Sequence, residues 1–147
     1  MSKSKDFIEI FDQLKGIVGS GNYIEDVLKM NSYLSDWRNQ FKGLSPLILK
    51  PTDSNMVSEI LALCNKHQIS IVPQGGNTGL VGGCIPSSTN TEIIISLEKM
   101  NQILDIDSIN YTMTLEAGCI LSEVQDAALN ADRLFPLSLA AEGSCQI

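Results

Sequence analysis

Val72-Pro73-Gln74-Gly75-Gly76-Asn77-Thr78-Gly79-Leu80-Val81-Gly82-Gly83 holds five of the chain's 11 glycines, all between Gly75 and Gly83. It lies in a charge-free run, since no Asp, Glu, Lys or Arg occurs between Lys66 and Glu92. Glycine loses more backbone entropy on folding than other residues. A cluster of it is expected where the chain needs a positive φ or a close backbone approach. Successive unobstructed N–H groups form a concavity that holds anions. The stretch therefore reads as a cradle for a diphosphate, with the charge resting on amide dipoles and Asn77 and Thr78 adding side-chain hydrogen bonds. A structural turn without a ligand is the plainer alternative.

Two familiar phosphate motifs fail, one on residue type and one on spacing. A Walker A loop needs Gly-Lys followed by Ser or Thr, and this loop has no lysine. The dinucleotide fingerprint needs Gly at i, i+2 and i+5 and then a helix. Here Gly75, Gly76, Gly79, Gly82 and Gly83 miss that spacing, and Cys84-Ile85-Pro86-Ser87-Ser88 leads into a strand instead.

Outward from the loop the chain alternates. Ile69-Ser70-Ile71-Val72 is a strand that feeds it. Before that strand, Thr52, Asp53 and Ser54 offer helix N-caps, and Met56, Val57, Ile60, Leu61 and Cys64 form an apolar stripe to about His67. Pro46 to Pro51 is a short strand bounded by prolines. After the loop, Glu92-Ile93-Ile94-Ile95-Ser96-Leu97 is so apolar that both of its faces must be covered. Such β-α-β alternation implies a parallel sheet.

Beyond it the pattern changes. Ile103 to Asp107 and Tyr111 to Glu116, joined by a turn at Ser108-Ile109-Asn110, read as a half-buried antiparallel pair. Gly118 ends the second strand. Ser122 and Gln125 have capping-box spacing and open a helix whose inner face is Val124, Ala127, Ala128 and Ala131. At the other end, Phe7, Phe11, Leu14 and Val18 mark a helix over 6–18. Ile24, Val27, Leu28 and Asn31 predict a second one from about 22 to 34. Trp37, the only tryptophan, reads as a packing anchor.

Bulk properties limit the function. The chain has 147 residues, 44% hydrophobic and 18% charged, with a net charge of −7, as expected of a soluble globular protein. Residues 1–50 carry seven basic and six acidic side chains, and 51–147 carry three basic and 11 acidic ones. An acidic body argues against nucleic acid as a partner. The first residues lack a signal-peptide pattern, and no apolar run approaches membrane-spanning length. Four separated cysteines without a C-x-x-C pair support reduced thiols rather than zinc or redox motifs. A cytoplasmic location is the expectation. The final stretch, Leu134 to Ile147, has one charge, contains Pro136 and Gly143, and offers no closing element; it reads as a chain cut in mid-loop.

The loop Pro73-Gln74-Gly75-Gly76-Asn77-Thr78-Gly79-Leu80-Val81-Gly82-Gly83 resembles the pyrophosphate loop of FAD-binding domains of the vanillyl-alcohol-oxidase (PCMH) type. The resemblance is strongest to the FAD-linked D-2-hydroxyacid dehydrogenases: D-2-hydroxyglutarate and D-lactate dehydrogenases and the FAD-linked subunit of glycolate oxidase. Asp36-Trp37-Arg38, Leu49-Lys50-Pro51, Glu116-Ala117-Gly118, and Phe135-Pro136-Leu137 through Gly143-Ser144-Cys145 match in the same order, over about residues 36–147.

The resemblance implies a mixed α/β (α+β) fold, with a small parallel β-α-β subdomain followed by a mixed or antiparallel one. A helical segment over 1–40 would precede an incomplete FAD-binding domain over 41–147. Pro73, Gly75, Gly76, Asn77, Thr78, Gly79, Gly82 and Gly83 would line the diphosphate, and Pro136, Leu137, Gly143 and Ser144 the flavin and its ribityl chain. FAD would be non-covalent, as the loop has no histidine and His67 reads as a helix-terminal residue. The family's catalytic and metal-binding stretches have no counterpart in this chain. Glu116 and Glu142, the carboxylates near the flavin loops, read as structural. The expected role is FAD binding within an enzyme oxidising a D-2-hydroxyacid. The chain alone would be inactive; the rival reading is a non-catalytic remnant that needs a second polypeptide or binds nothing.

Overall fold

The computed structural model describes the backbone from Lys3 and the side chains from Phe7, both through Ile147. Its elements in order are α1 (Lys3–Val18), β1 (Tyr23–Ile24), α2 (Val27–Met30), β2 (Ile48–Leu49), α3 (Ser54–His67), β3 (Ile71–Gln74), β4 (Ile93–Ser96), β5 (Ile103–Asp107), β6 (Thr112–Leu115) and α4 (Leu121–Asn130). A four-stranded sheet runs β1-β2-β4-β3, and β5 and β6 form a separate antiparallel pair. β2, β4 and β3 are mutually parallel, with Ile48 opposite Ile94 and Val72 opposite Ile94 on the other side. The mixed α/β architecture agrees with the sequence pattern.

β4 is the centre of this sheet because all four of its residues are buried. Alternate side chains of a strand point to opposite faces. Ile93 and Ile95 accordingly join Leu14, Val18, Leu49, Ile60 and Cys64 beneath α1 and α3. Ile94 instead meets Ile48 and Met30 on the opposite face. Each buried isoleucine is worth roughly 1.5–3 kcal/mol of apolar transfer.

α3 begins where the sequence places it. The Asp53 carboxylate accepts the Met56 N–H at 2.9 Å. Gln68, at φ +55°, ends the helix in the left-handed region. In α1, Ile10, Leu14 and Val18 face the core, whereas Phe7 is 44% exposed.

Three local expectations are corrected. The helix predicted over 22–34 is only Val27–Met30, preceded by the short strand β1. Gly19 and Gly21, at φ +78° and +82°, turn the chain back, so that Tyr23 pairs antiparallel with Leu49. Val27 and Leu28 are exposed and Met30 is the buried member.

The α4 amides are capped by distant carbonyls, not by a Ser122–Gln125 box. Leu121 N–H donates to the Cys145 carbonyl and Ser122 N–H to that of Glu142, both at 3.0 Å. Those same bonds anchor the final residues, which the sequence reads as a stretch without a closing element. Ile120 and Gln146 form an antiparallel bridge, and Cys145 is buried.

Candidate functional site

The glycine loop leaves the carboxyl end of β3, the edge where open α/β sheets take their ligands. Two side-chain amides fix its base. Gln74, 2% exposed, donates from Nε2 to the Tyr33 carbonyl at 3.0 Å and to that of Cys84 at 2.8 Å. Asn77, at φ +53°, donates from Nδ2 to the carbonyls of Ser32 and Ser35 at 3.1 and 2.9 Å. Its Oδ1 accepts the Cys84 thiol at 3.1 Å. The Asn77 side chain is therefore occupied in shaping the loop, and only its backbone is open to a ligand.

The Asp36-Trp37-Arg38 turn lies against the same loop. Asp36 is buried and accepts the Phe41 N–H at 2.7 Å and the Arg38 N–H at 3.3 Å. These bonds, led by that from Phe41, hold its carboxyl below the ordinary range. Arg38 Nη2 donates to the Leu80 carbonyl at 2.8 Å. A cation thus stands at the loop's rim, where the sequence suggested amide dipoles alone. Trp37 is not a buried anchor: it is 64% exposed and forms one wall of a cavity.

The glycines divide into two kinds. Gly76 and Gly82 are required by the fold. A Cβ on Gly76 would lie 1.8 Å from the Ser144 carbonyl oxygen, and one on Gly82 would lie 2.7 Å from the Phe41 ring. The backbone contact at Gly76 brings the C-terminal segment onto the loop. Gly79 and Gly83 differ: neither has a positive φ, and a Cβ there would meet no atom within 4 Å. The fold gives no reason for glycine at these positions. Their bare backbone opens onto a cavity.

Two cavities flank the loop. One, of about 290 Å³, is walled by Gly75 to Gly79, Val81, Gly83, Cys84 and Gln146. The other, of about 710 Å³, lies between Trp37 and Leu80 on one side and Leu139 to Ala141, Ser144 and Cys145 on the other. Gly76, Asn77 and Thr78 border both. Of the residues singled out in the sequence, Gly75, Gly76, Asn77, Thr78, Gly79, Gly83 and Ser144 converge here. Pro73, Gly82, Pro136, Leu137 and Gly143 lie outside both walls.

Trp37, Arg38, Leu139 and Gln146 were missed as site residues. Chain folding alone brings these separated positions to the loop. Only the single tryptophan beside an arginine was a usable signal.

The donor set suits a dinucleotide with a flat ring. The loop offers amides without side-chain cover, and the larger cavity offers an indole wall. The buried Gln146 Oε1 has no hydrogen-bond partner among the described residues. None of these residues forms a cluster of three or more His, Cys, Asp or Glu side chains able to hold a metal.

A partly buried ionic cluster adjoins the loop's base. Lys50 Nζ lies 2.6 Å from Glu98 Oε1, and Tyr33 Oη donates to Glu98 Oε2 at 2.8 Å. Burial opposes ionisation of Glu98, but the Lys50 and Tyr33 bonds outweigh it and lower its pKa. Burial likewise opposes the charge on Lys50, whose pKa is nonetheless raised by the bonds to Glu98 and Tyr33. The other titratable candidates are structural. Glu116 accepts the Gln102 N–H at 2.8 Å and Glu142 the Leu139 N–H at 3.1 Å. His67 is exposed at the end of α3.

Residues 45–147 match the family described as FAD binding domain, and the chain belongs to that family. FAD is the cofactor of this fold. Among curated proteins, the chain is 40% identical over 133 residues to D-2-hydroxyglutarate dehydrogenase, mitochondrial, of Arabidopsis thaliana, covering 90% of this chain and 23% of that protein. It is also 40% identical over 127 residues to the Danio rerio enzyme of the same description, covering 86% and 24%. The chain thus spans about a quarter of the length of these relatives. Among solved structures, alkyldihydroxyacetonephosphate synthase superposes with a TM-score of 0.85 at 20% identity, over 95% of this chain and 28% of that one. At that identity the likeness shows the fold alone. No helix among the described residues is long and apolar enough to cross a membrane.

Proposed function

We propose that the chain binds FAD non-covalently on the loop from Gly75 to Gly83. In this reading it is the N-terminal part of a flavin-dependent oxidoreductase that converts a D-2-hydroxyacid into a 2-oxoacid. The observation that carries the reading is the bare backbone of Gly79 and Gly83, which no packing or dihedral constraint explains. The amides of Gly75, Gly76, Thr78 and Gly79 would hold the diphosphate, with Arg38 adding positive charge at the rim. Trp37 and Ser144 would flank the ring system. Pro136, Leu137 and Gly143 enter through the family resemblance and follow the same segment.

When bound, the flavin supplies the acceptor for the hydride leaving the hydroxyl-bearing carbon. The chain's own part is to bind, orient and shield. Neither cavity wall carries a carboxylate, imidazole or amine. A base for the substrate hydroxyl must come from further polypeptide, either continuous with this chain or a second one. These 147 residues alone are expected to turn over D-lactate, D-2-hydroxyglutarate or glycolate slowly or not at all.

Trp37 is the sole tryptophan, so FAD binding should quench the intrinsic emission in a saturable titration. The purified protein should also release FAD on denaturation. A colourless protein whose emission is unchanged by FAD would overturn the reading and support a remnant that binds nothing. Four free cysteines fit a reducing compartment. A cytoplasmic location is part of the proposal, and cell fractionation tests it.

A further inference from the structure

We infer that Gln146 contacts the cofactor, its carboxamide oxygen accepting a hydrogen bond from a hydroxyl or imide N–H of FAD. This rests on the FAD reading above. Gln146 lines the smaller cavity together with the glycine loop. Its backbone is fixed by the bridge to Ile120 and by the neighbouring Ile147 N–H bond to the Cys119 carbonyl at 3.1 Å. The residue therefore cannot drift away from the loop.

Its Oε1 is buried without a partner, tucked beside Gly75, where a Cβ would stand 3.2 Å from it. Buried polar groups in native proteins are nearly always paired, because an unpaired one forfeits its hydration. An orphan acceptor at the wall of a binding cavity points to a partner outside the chain. The terminal torsion of glutamine is broad, so a small rotation turns the amide from Gly75 into the cavity.

Chemistry then narrows the partner. An unpaired carbonyl oxygen needs a donor. The diphosphate of FAD is ionised at neutral pH and offers only acceptors. Its ribityl and ribose hydroxyls and its flavin imide offer O–H and N–H. The Gln146 oxygen therefore meets the sugar-alcohol or ring portion of the ligand, while the loop amides take the phosphates.

Two variants test this by FAD titration and by melting of the ligand-free protein. Gln146→Met keeps length but removes the acceptor. It should melt at or above the wild-type temperature, since the orphan is gone, and bind FAD roughly 5- to 100-fold more weakly. Gln146→Glu keeps an acceptor and adds charge; it should lose only a few-fold. Gln146→Met binding FAD like wild type would overturn the inference, and so would its melting below wild type, which would mark Gln146 as structural. Gln146→Glu showing the larger loss would place the residue against phosphate and also overturn it. If the wild-type chain takes up no FAD, the proposed function fails and this inference with it. If only the variants behave otherwise, the inference fails alone.

Discussion

The sheet around β4 and the β5–β6 hairpin with α4 are built to different degrees of closure. Around β4, layers lie on both faces: α1 and α3 cover one, and the Met30–Tyr33 turn covers the other. Neither buried cluster takes a residue from beyond Leu97. The second region has two strands and one helix of 10 residues. There Leu104, Ile109, Leu129 and Leu134 are 59–86% exposed. An isolated two-stranded hairpin is marginally stable in water. This one is tied to the turn after α4, where Arg133 Nε donates to the Ser108 carbonyl at 2.9 Å and the guanidinium lies over the Tyr111 ring. The glycine loop sits between the two regions, rooted in the closed one and touched by the open one at Gly76 and Ser144. The cradle thus has a firm base and a weakly supported far wall.

The sharpest way to break this comparison is to cut into each region. Ile94→Ala removes a fully buried side chain of the central strand and should cost about 3–4 kcal/mol in chemical denaturation. Leu134→Ala, at 83% exposure, should stay within about 0.5 kcal/mol. Comparable losses at the two sites would show that the second region is closed in solution.

Next in size is the junction. Gly76→Ala drives a methyl into the Ser144 carbonyl. It should cost about 1–3 kcal/mol by overpacking, and the displaced loop should no longer bind FAD. Gly79→Ala meets nothing, so its melting should match wild type within about 0.5 kcal/mol. Its FAD affinity should fall at least ~10-fold if the bare amides hold the diphosphate, as blocking them costs a charge-assisted bond. Unchanged affinity there would remove the loop from the site.

The smallest expected effect concerns Glu98, at the edge of the closed region. Its carboxyl titrates below the ordinary 4.5, so the folded protein holds that proton more weakly than the unfolded chain. The stabilisation is full above pH ~4.5 and is lost as pH falls through the folded value. Its side chain is 36% exposed, which limits the effect to below about 1 kcal/mol. Glu98→Gln should flatten the fall in melting temperature between neutral and acid pH; an unchanged slope would detach the Lys50–Glu98 pair from the sheet's stability.

How much was legible follows from the range of each interaction. Ile93-Ile94-Ile95 announced a strand covered on both faces because hydrophobicity is local information, and the burial agrees. Thr52-Asp53-Ser54 announced a helix start because an N-cap reaches only three residues, and Asp53 is the one that caps it. The missing lysine and the glycine spacing excluded two nucleotide motifs from the sequence alone. By contrast, 22–34 looked helical because its apolar spacing fitted, yet pairing of Tyr23 with Leu49 took precedence over the local pattern. Ser122 and Gln125 had the right spacing for a box, but carbonyls some 20 residues further along reached the amides first.

By itself, then, the sequence determined the alternation of strands and helices, the position of the glycine loop and the family to which it belongs. Each depends on residues close together in the chain. Tertiary structure alone decided what the loop's residues do. It gave Asn77 to the carbonyls of Ser32 and Ser35, set Arg38 on the Leu80 carbonyl, stood Trp37 at a cavity wall and left Gln146 without a partner. Those contacts join positions dozens of residues apart, and their geometry exists only once the sheet has brought them to one edge.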